Sequence, residues 1–132
     1  MTAPDLLAEG RDRRDAGLAR ASTPRHRRLT IALGKLALLD ALQASPNGTA
    51  TTDDIADDPA AAYADGGKWR GEITHELARR GLIERTGYTS SYRPSRHGSP
   101  IGVWRLAADA AQVDAHRGRL RLLVAAIQQM DD

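Results

Sequence analysis

One glycine organises the stretch that most restricts how this chain can fold, KWRGEITHELARRGLIERTGYTSSYRPSRHGSPIGVWRL, residues 68–106. Ahead of it, Trp69, Ile73 and Leu77 recur every four residues, the spacing of one buried helix face. Gly81 then takes the left-handed conformation that closes a helix without a Cβ clash, so a helix is predicted over residues 68–80. Leu82 and Ile83 lead into a strand that runs to about Tyr88, and residues 101–106 can pair back against it. Between the strands lies SSYRPSRHGSP, a long, polar, cationic tip braced by Pro94 and Pro100. Trp104 alternates with Gly102 and Leu106 along the return strand, which places it in the core rather than on a base-stacking platform.

The flanking segments supply further helices. Thr23 followed by Pro24 predicts a helix over residues 25–44. Leu29, Leu33, Leu36 and Leu39 mark one stripe, and Ile31, Leu38 and Leu42 widen it to a face that packs against several neighbours. Arg25, Arg27 and Arg28 crowd its first turn, the unfavourable end for cations; they are either solvated there or kept for phosphate. A turn at residues 45–48 leads to a short strand at 49–52. Thr52, Asp53 and Asp54 then read as the cap of a second helix anchored on Ile55. Beyond Ala108, the spacing of Val113, His116, Leu120, Leu123, Ile127 and Met130 predicts a C-terminal helix, and Leu122, Val124 and Ala126 broaden its stripe. A face that wide suits packing on the first helix or on a second subunit, and a homodimer through those two helices is expected. Residues 1–24 form a basic arm with only Leu6, Leu7 and Leu18 as apolar anchors, and Gly10 and Gly17 weaken any helix there. The expected organisation is an arm over 1–24, a domain over 25–107 and a terminal helix over 108–132.

Charge is unevenly placed. Residues 66–105 carry eight Lys and Arg against three Glu, whereas residues 30–65 carry one Lys against six Asp. A phosphate backbone responds to such a local patch more than to the overall charge of +2. With no Phe in the chain, Leu, Ile, Val and Ala must fill the core, with Trp69 and Trp104 as its large pieces. The first 30 residues lack the apolar region of a signal peptide, and no apolar run approaches the ~20 residues of a membrane span. The chain is expected to be soluble and cytoplasmic, with no membrane partner.

With that patch in view, GGKWRGEITHELARRGLIERTGY followed by SYRPSRHGSPIGVWRL resembles small winged helix-turn-helix proteins of bacteria and their phages. These combine a helix ending in LxRxGLI, a strand, and an Arg-rich wing that closes on a V-W-R strand. The resemblance covers residues 29–107. It implies an α+β, mainly α, fold: three helices with a two- to three-stranded wing sheet, extended by the N-terminal arm and the C-terminal helix. It also implies DNA-reading positions at Lys68, Arg70, Thr74 and His75 in the helix and at Arg93, Arg96 and His97 in the wing. The residues add to this. The helix rotation that buries Trp69 leaves Arg79 outward with those four, and Tyr92 and Ser95 supply hydroxyls of the kind that meet phosphate and sugar. Two features run against the pattern. Glu72 and Glu76 flank the same helix, and DDIADDPAAAYADGG is unusually acidic and broken by proline.

No enzymatic constellation stands out. His26, His75, His97 and His116 lack paired spacing, there is no thiolate, and DDIADD lacks the ligand alternation and glycine of an EF-hand. GxSxG, P-loop, GxGxxG and HExxH motifs are all missing. No cofactor or metal is expected. The expected function is double-stranded DNA binding, as a transcriptional regulator or a phage or mobile-element replication accessory. The alternative is a winged-helix adaptor that binds protein through the acidic segment and the terminal helices.

Overall fold

The computed structural model describes residues 23–55, 63, 65 and 67–130. The N-terminal arm and most of the acidic segment lie outside the described residues. What is described is α+β and mainly α, with three helices and a three-stranded antiparallel sheet. The helices are α1 (Pro24–Ala44), α2 (Trp69–Arg79) and α3 (Ala110–Gln129); the strands are β1 (Thr49–Ala50), β2 (Ile83–Ser90) and β3 (Pro100–Leu106). The sheet order is β1-β3-β2, with β3 central.

Each helix begins and ends where local chemistry dictates. The Thr23 hydroxyl accepts from the His26 amide at 3.1 Å, and Pro24 occupies the first turn, where its missing N–H costs nothing. Gly81, at φ +76°, closes α2, and the Leu82 amide donates back to the Leu77 carbonyl at 3.0 Å. Asp109 and Gln112 cap α3 reciprocally. The strands pair from Ile83 opposite Leu106 to Ser90 opposite Pro100, with a bulge between Arg85 and Gly87.

The core forms where α1 packs against both α2 and α3, over one end of the sheet. Leu38, Leu39, Leu42, Ile73, Leu77 and Val113 are fully enclosed, and Trp69 is sealed among them. Trp104 is partly buried and packs against this cluster, in line with the expectation for it. The broad apolar face of α1 is centred on Ile31, Leu38, Leu39 and Leu42, while Leu33 and Leu36 lie at its margins. On α3 the buried stripe is Val113, His116, Leu120 and Ile127; Leu123 and Met130, expected in that stripe, are exposed.

Two expectations need correction. The second helix does not start at Thr52: Thr52–Asp54 is a single 3-10 turn capped by Thr51, and the remainder of that helix, residues 56–62, lies outside the described residues. Two of the three first-turn cations of α1 are engaged within the chain, since Arg27 pairs with Glu72 and Arg25 donates to the Met130 carbonyl at 2.7 Å, while Arg28 is exposed. Among the described residues no helix is long and apolar enough to cross a membrane.

His116 introduces a pH dependence. It is buried, its Nε2 has no partner among the described residues, and its Nδ1 lies 3.5 Å from the Arg119 guanidinium. Burial first, then the charges of Arg80, Arg119 and Lys35, hold its pKa below the ordinary 6.5. Acidification through that value therefore protonates the unfolded chain in preference to the folded one. The stabilisation is complete above the unfolded value and is lost as pH falls towards the folded one. Thermal melts between about pH 7.5 and pH 5.5 should show the melting temperature falling in the wild type and falling less in His116→Leu. Parallel slopes would show that the imidazole does not carry the effect.

Candidate nucleic-acid interface

The start of α2 and the far end of the β2–β3 hairpin face each other across a cleft of about 410 Å³. Lys68, Arg70, Arg85 and Arg96 contribute to its lining together with Trp104, and among the described residues no carboxylate does. These cations come from three separated segments, which only the folded chain assembles. Gly71 leaves the helix side open, for a Cβ built there would meet nothing within 4 Å.

Arg85 and Trp104 form the strand side. They are directly opposed across the β2–β3 pair, and the Arg85 guanidinium stands 6.0 Å from the Trp104 ring centre and 4.8 Å from that of Tyr88. A cation held over two aromatic faces is orientated without losing its charge. Gly102 makes room for this layer: a Cβ there would lie 3.1 Å from Trp104 Nε1 and 3.2 Å from Arg85 Cδ.

The expected site residues divide by position. Lys68, Arg70, Thr74 and Arg96 line the cleft. Arg70 and Thr74, however, do not point outward as the helix rotation implied; both are buried. Arg70 Nη1 donates to the carbonyls of Thr52 at 2.8 Å and Ile55 at 3.0 Å, and its guanidinium stacks 4.5 Å from the Trp69 ring centre. It ties the 3-10 turn to α2, because a buried cation is stable only where such acceptors meet it. The Thr74 hydroxyl donates to the Gly71 carbonyl at 3.0 Å. Lys68, His75 and Arg79 are exposed on α2, although His75 and Arg79 stand away from the cleft lining.

In the hairpin tip, residues 94–96 form a 3-10 turn that ends on His97 at φ +51°, a left-handed position next to Gly98. Arg96 and His97 are exposed and Arg93 is half-buried; the side chain of Ser95 lies outside the described residues. Tyr92 is anchored at the base of the tip, where its hydroxyl donates to the Asp53 carbonyl. Partial desolvation first, then the charges of Asp54 and Asp53, raise its pKa above the ordinary 10.0, so the phenol remains a donor at neutral pH.

The two glutamates of α2 turn towards α1. Glu72 pairs with Arg27 and Glu76 with Lys35. Burial alone would raise the Glu76 pKa, but the hydrogen bond and charge of Lys35, with Arg79 and Arg80, more than offset this and lower it. The acids that counted against the helix are thus neutralised on its opposite side. Among the described residues no group of three His, Asp or Glu side chains is placed to hold a metal ion. Comparison with protein-family models, curated proteins and solved structures yields no match.

Proposed function

We propose that this protein binds duplex DNA as a winged helix, with α2 directed to the major groove and the residue 91–99 tip lying along the backbone or minor groove. Such a protein would act as a transcriptional regulator or as a phage or mobile-element replication accessory. The observation that carries the reading is the cleft, lined by no carboxylate among the described residues, in which Lys68, Arg85 and Arg96 converge between helix start and hairpin tip. A duplex backbone is a row of phosphates, and cations on two separate elements can follow it where a single patch cannot. The chain order, with β1 between the first two helices and a hairpin after α2, and the β1-β3-β2 sheet order support the same reading. The dimer belongs to this proposal as well: α3 uses Val113, Leu120 and Ile127 within the chain, and exposed Leu122 and Met130 remain for a second copy.

Fluorescence anisotropy on a random-sequence duplex across a salt series tests the proposal. The association constant should fall steeply with salt, and Arg85→Gln combined with Arg96→Gln should reduce the log–log slope by about two. His75→Ala should leave that slope unchanged. Absence of duplex binding at roughly 50 mM salt would rule the reading out.

A further inference from the structure

A second cavity, of about 560 Å³, opens at the other end of α2, where the base of the hairpin meets the start of α3. Its lining shares no residue with the cleft described above. Along α2 the last residue of that cleft, Thr74, and the first of this cavity, Arg80, stand about 9 Å apart at 1.5 Å per residue. Its volume falls within the range of small-molecule sites.

The space exists because small residues meet there: Gly81 ends α2, Ala107 and Ala108 follow β3, and Ala115 faces in from α3. Leu82 supplies the apolar side. Arg80 and Arg119 supply the opposite character. Among the described residues no carboxylate lines the cavity and neither guanidinium pairs with an acid. His116, 4% exposed, forms part of the wall, and its buried ring meets Arg119 through Nδ1 only at the outer limit of a hydrogen bond. Arg80 feels the charge of Glu76 one turn back on α2, but Arg119 stands beside a buried imidazole with no acid paired to it among the described residues, an arrangement that an anion would relieve.

We infer that this cavity binds a small organic carboxylate, its carboxyl between Arg80 and Arg119 and its apolar body against Leu82 and the surrounding alanines. A planar guanidinium donates two parallel hydrogen bonds to a carboxylate, so a charged head is distinguished from a neutral one of the same shape. The inference does not rest on DNA binding.

Benzoate and its neutral isostere benzamide are suitable probes, titrated into the full chain and followed by backbone amide NMR. Benzoate should produce saturable shifts at Gly81, Leu82, Ala108 and Ala115, with benzamide weaker by about tenfold or more. Arg119→Gln should weaken benzoate by about tenfold, and Ala115→Leu should abolish its binding by filling the cavity. Both positions are exposed on α3, so neither change threatens the fold. Lys68→Gln with Arg96→Gln should leave the benzoate response unchanged. The inference is overturned if there is no saturable response to about 20 mM benzoate, if the two probes respond equally, if the response survives in Arg119→Gln and Ala115→Leu, or if it centres on Lys68, Arg85 and Arg96.

Discussion

Replacing Gly34 by valine is expected to remove about 3 kcal/mol or more of folding stability, a large part of the ~5–15 kcal/mol typical of a single domain. Gly34 is where α1 and α2 cross. A Cβ built on it would stand 2.1 Å from Ile73 Cδ1 and 3.1 Å from Trp69 Cζ3. Ile73 is fully enclosed and Trp69 is 2% exposed, so a shift of either side chain has to displace its neighbours in the core. The helices would have to separate, opening voids around Leu38 and Leu77 in a core without phenylalanine to refill them. Helix propensity acts in the other direction, since glycine within a helix costs about 1 kcal/mol relative to alanine. Gly34→Ala should therefore lose only about 1–2 kcal/mol, while the bulkier, β-branched valine keeps the clash and gains less from propensity. Urea denaturation provides the measurement: the midpoint should fall in the order wild type, alanine, valine with the m-value preserved. A Gly34→Ala variant more stable than the wild type would contradict so close a crossing.

Gly34 also marks a limit of what the sequence makes legible. The face of α2 follows from Trp69, Ile73 and Leu77 because apolar periodicity records which side of a helix is buried, and all three are sealed. The stop at Gly81, the hairpin and the short strand beside it were legible for related reasons, since turn chemistry and alternation are local signals. Gly34 carries no such signal, because the reason for a glycine in a helix lies on the helix it meets. Arg70 falls into the same gap. Periodicity assigns an angle on the helix, whereas the long arginine stem lets the guanidinium curl back to the carbonyls of Thr52 and Ile55. Arg85 carries no local signal either, because its partnership with Trp104 depends on strand register, which the bulge between Arg85 and Gly87 shifts. Lys68 and Arg96 were legible as cations, but their convergence with Arg85 on one cleft was not. On α3, Leu123 and Met130 fit the stripe by spacing yet are exposed; spacing alone could not separate them from Leu120 and Ile127.

Asp53→Ala is expected to cost about 3 kcal/mol and, on the DNA-binding function proposed above, to weaken duplex binding without altering its salt slope. The sequence presents Asp53 as one of several acids capping a helix; in the fold its side chain is buried and turned to the hairpin. Its carboxylate accepts from the Ser91 hydroxyl at 2.9 and 3.1 Å and from the Tyr92 amide at 3.0 Å, while its own carbonyl accepts from the Tyr92 phenol. Thr51 caps the turn that holds Asp53, and Arg70 ties the carbonyls of Thr52 and Ile55 to α2. The hairpin tip is thereby braced to the start of α2 through one 3-10 turn. Alanine would leave the buried Ser91 hydroxyl and the Tyr92 amide without acceptors, and hydrogen bonds to a charged group contribute about 1.5–3 kcal/mol each. Asparagine keeps one carbonyl acceptor and should lose less, about 1–2 kcal/mol. The binding measurement separates bracing from charge. Removing an acid close to a cationic cleft would by electrostatics alone strengthen attachment to phosphate. Loosening the tip instead removes pre-organisation, lowering affinity at every salt concentration while the number of phosphates engaged, and so the slope, stays at the wild-type value. Affinity that rises in Asp53→Ala, measured at a temperature where the variant is fully folded, would show that the cleft does not depend on this brace.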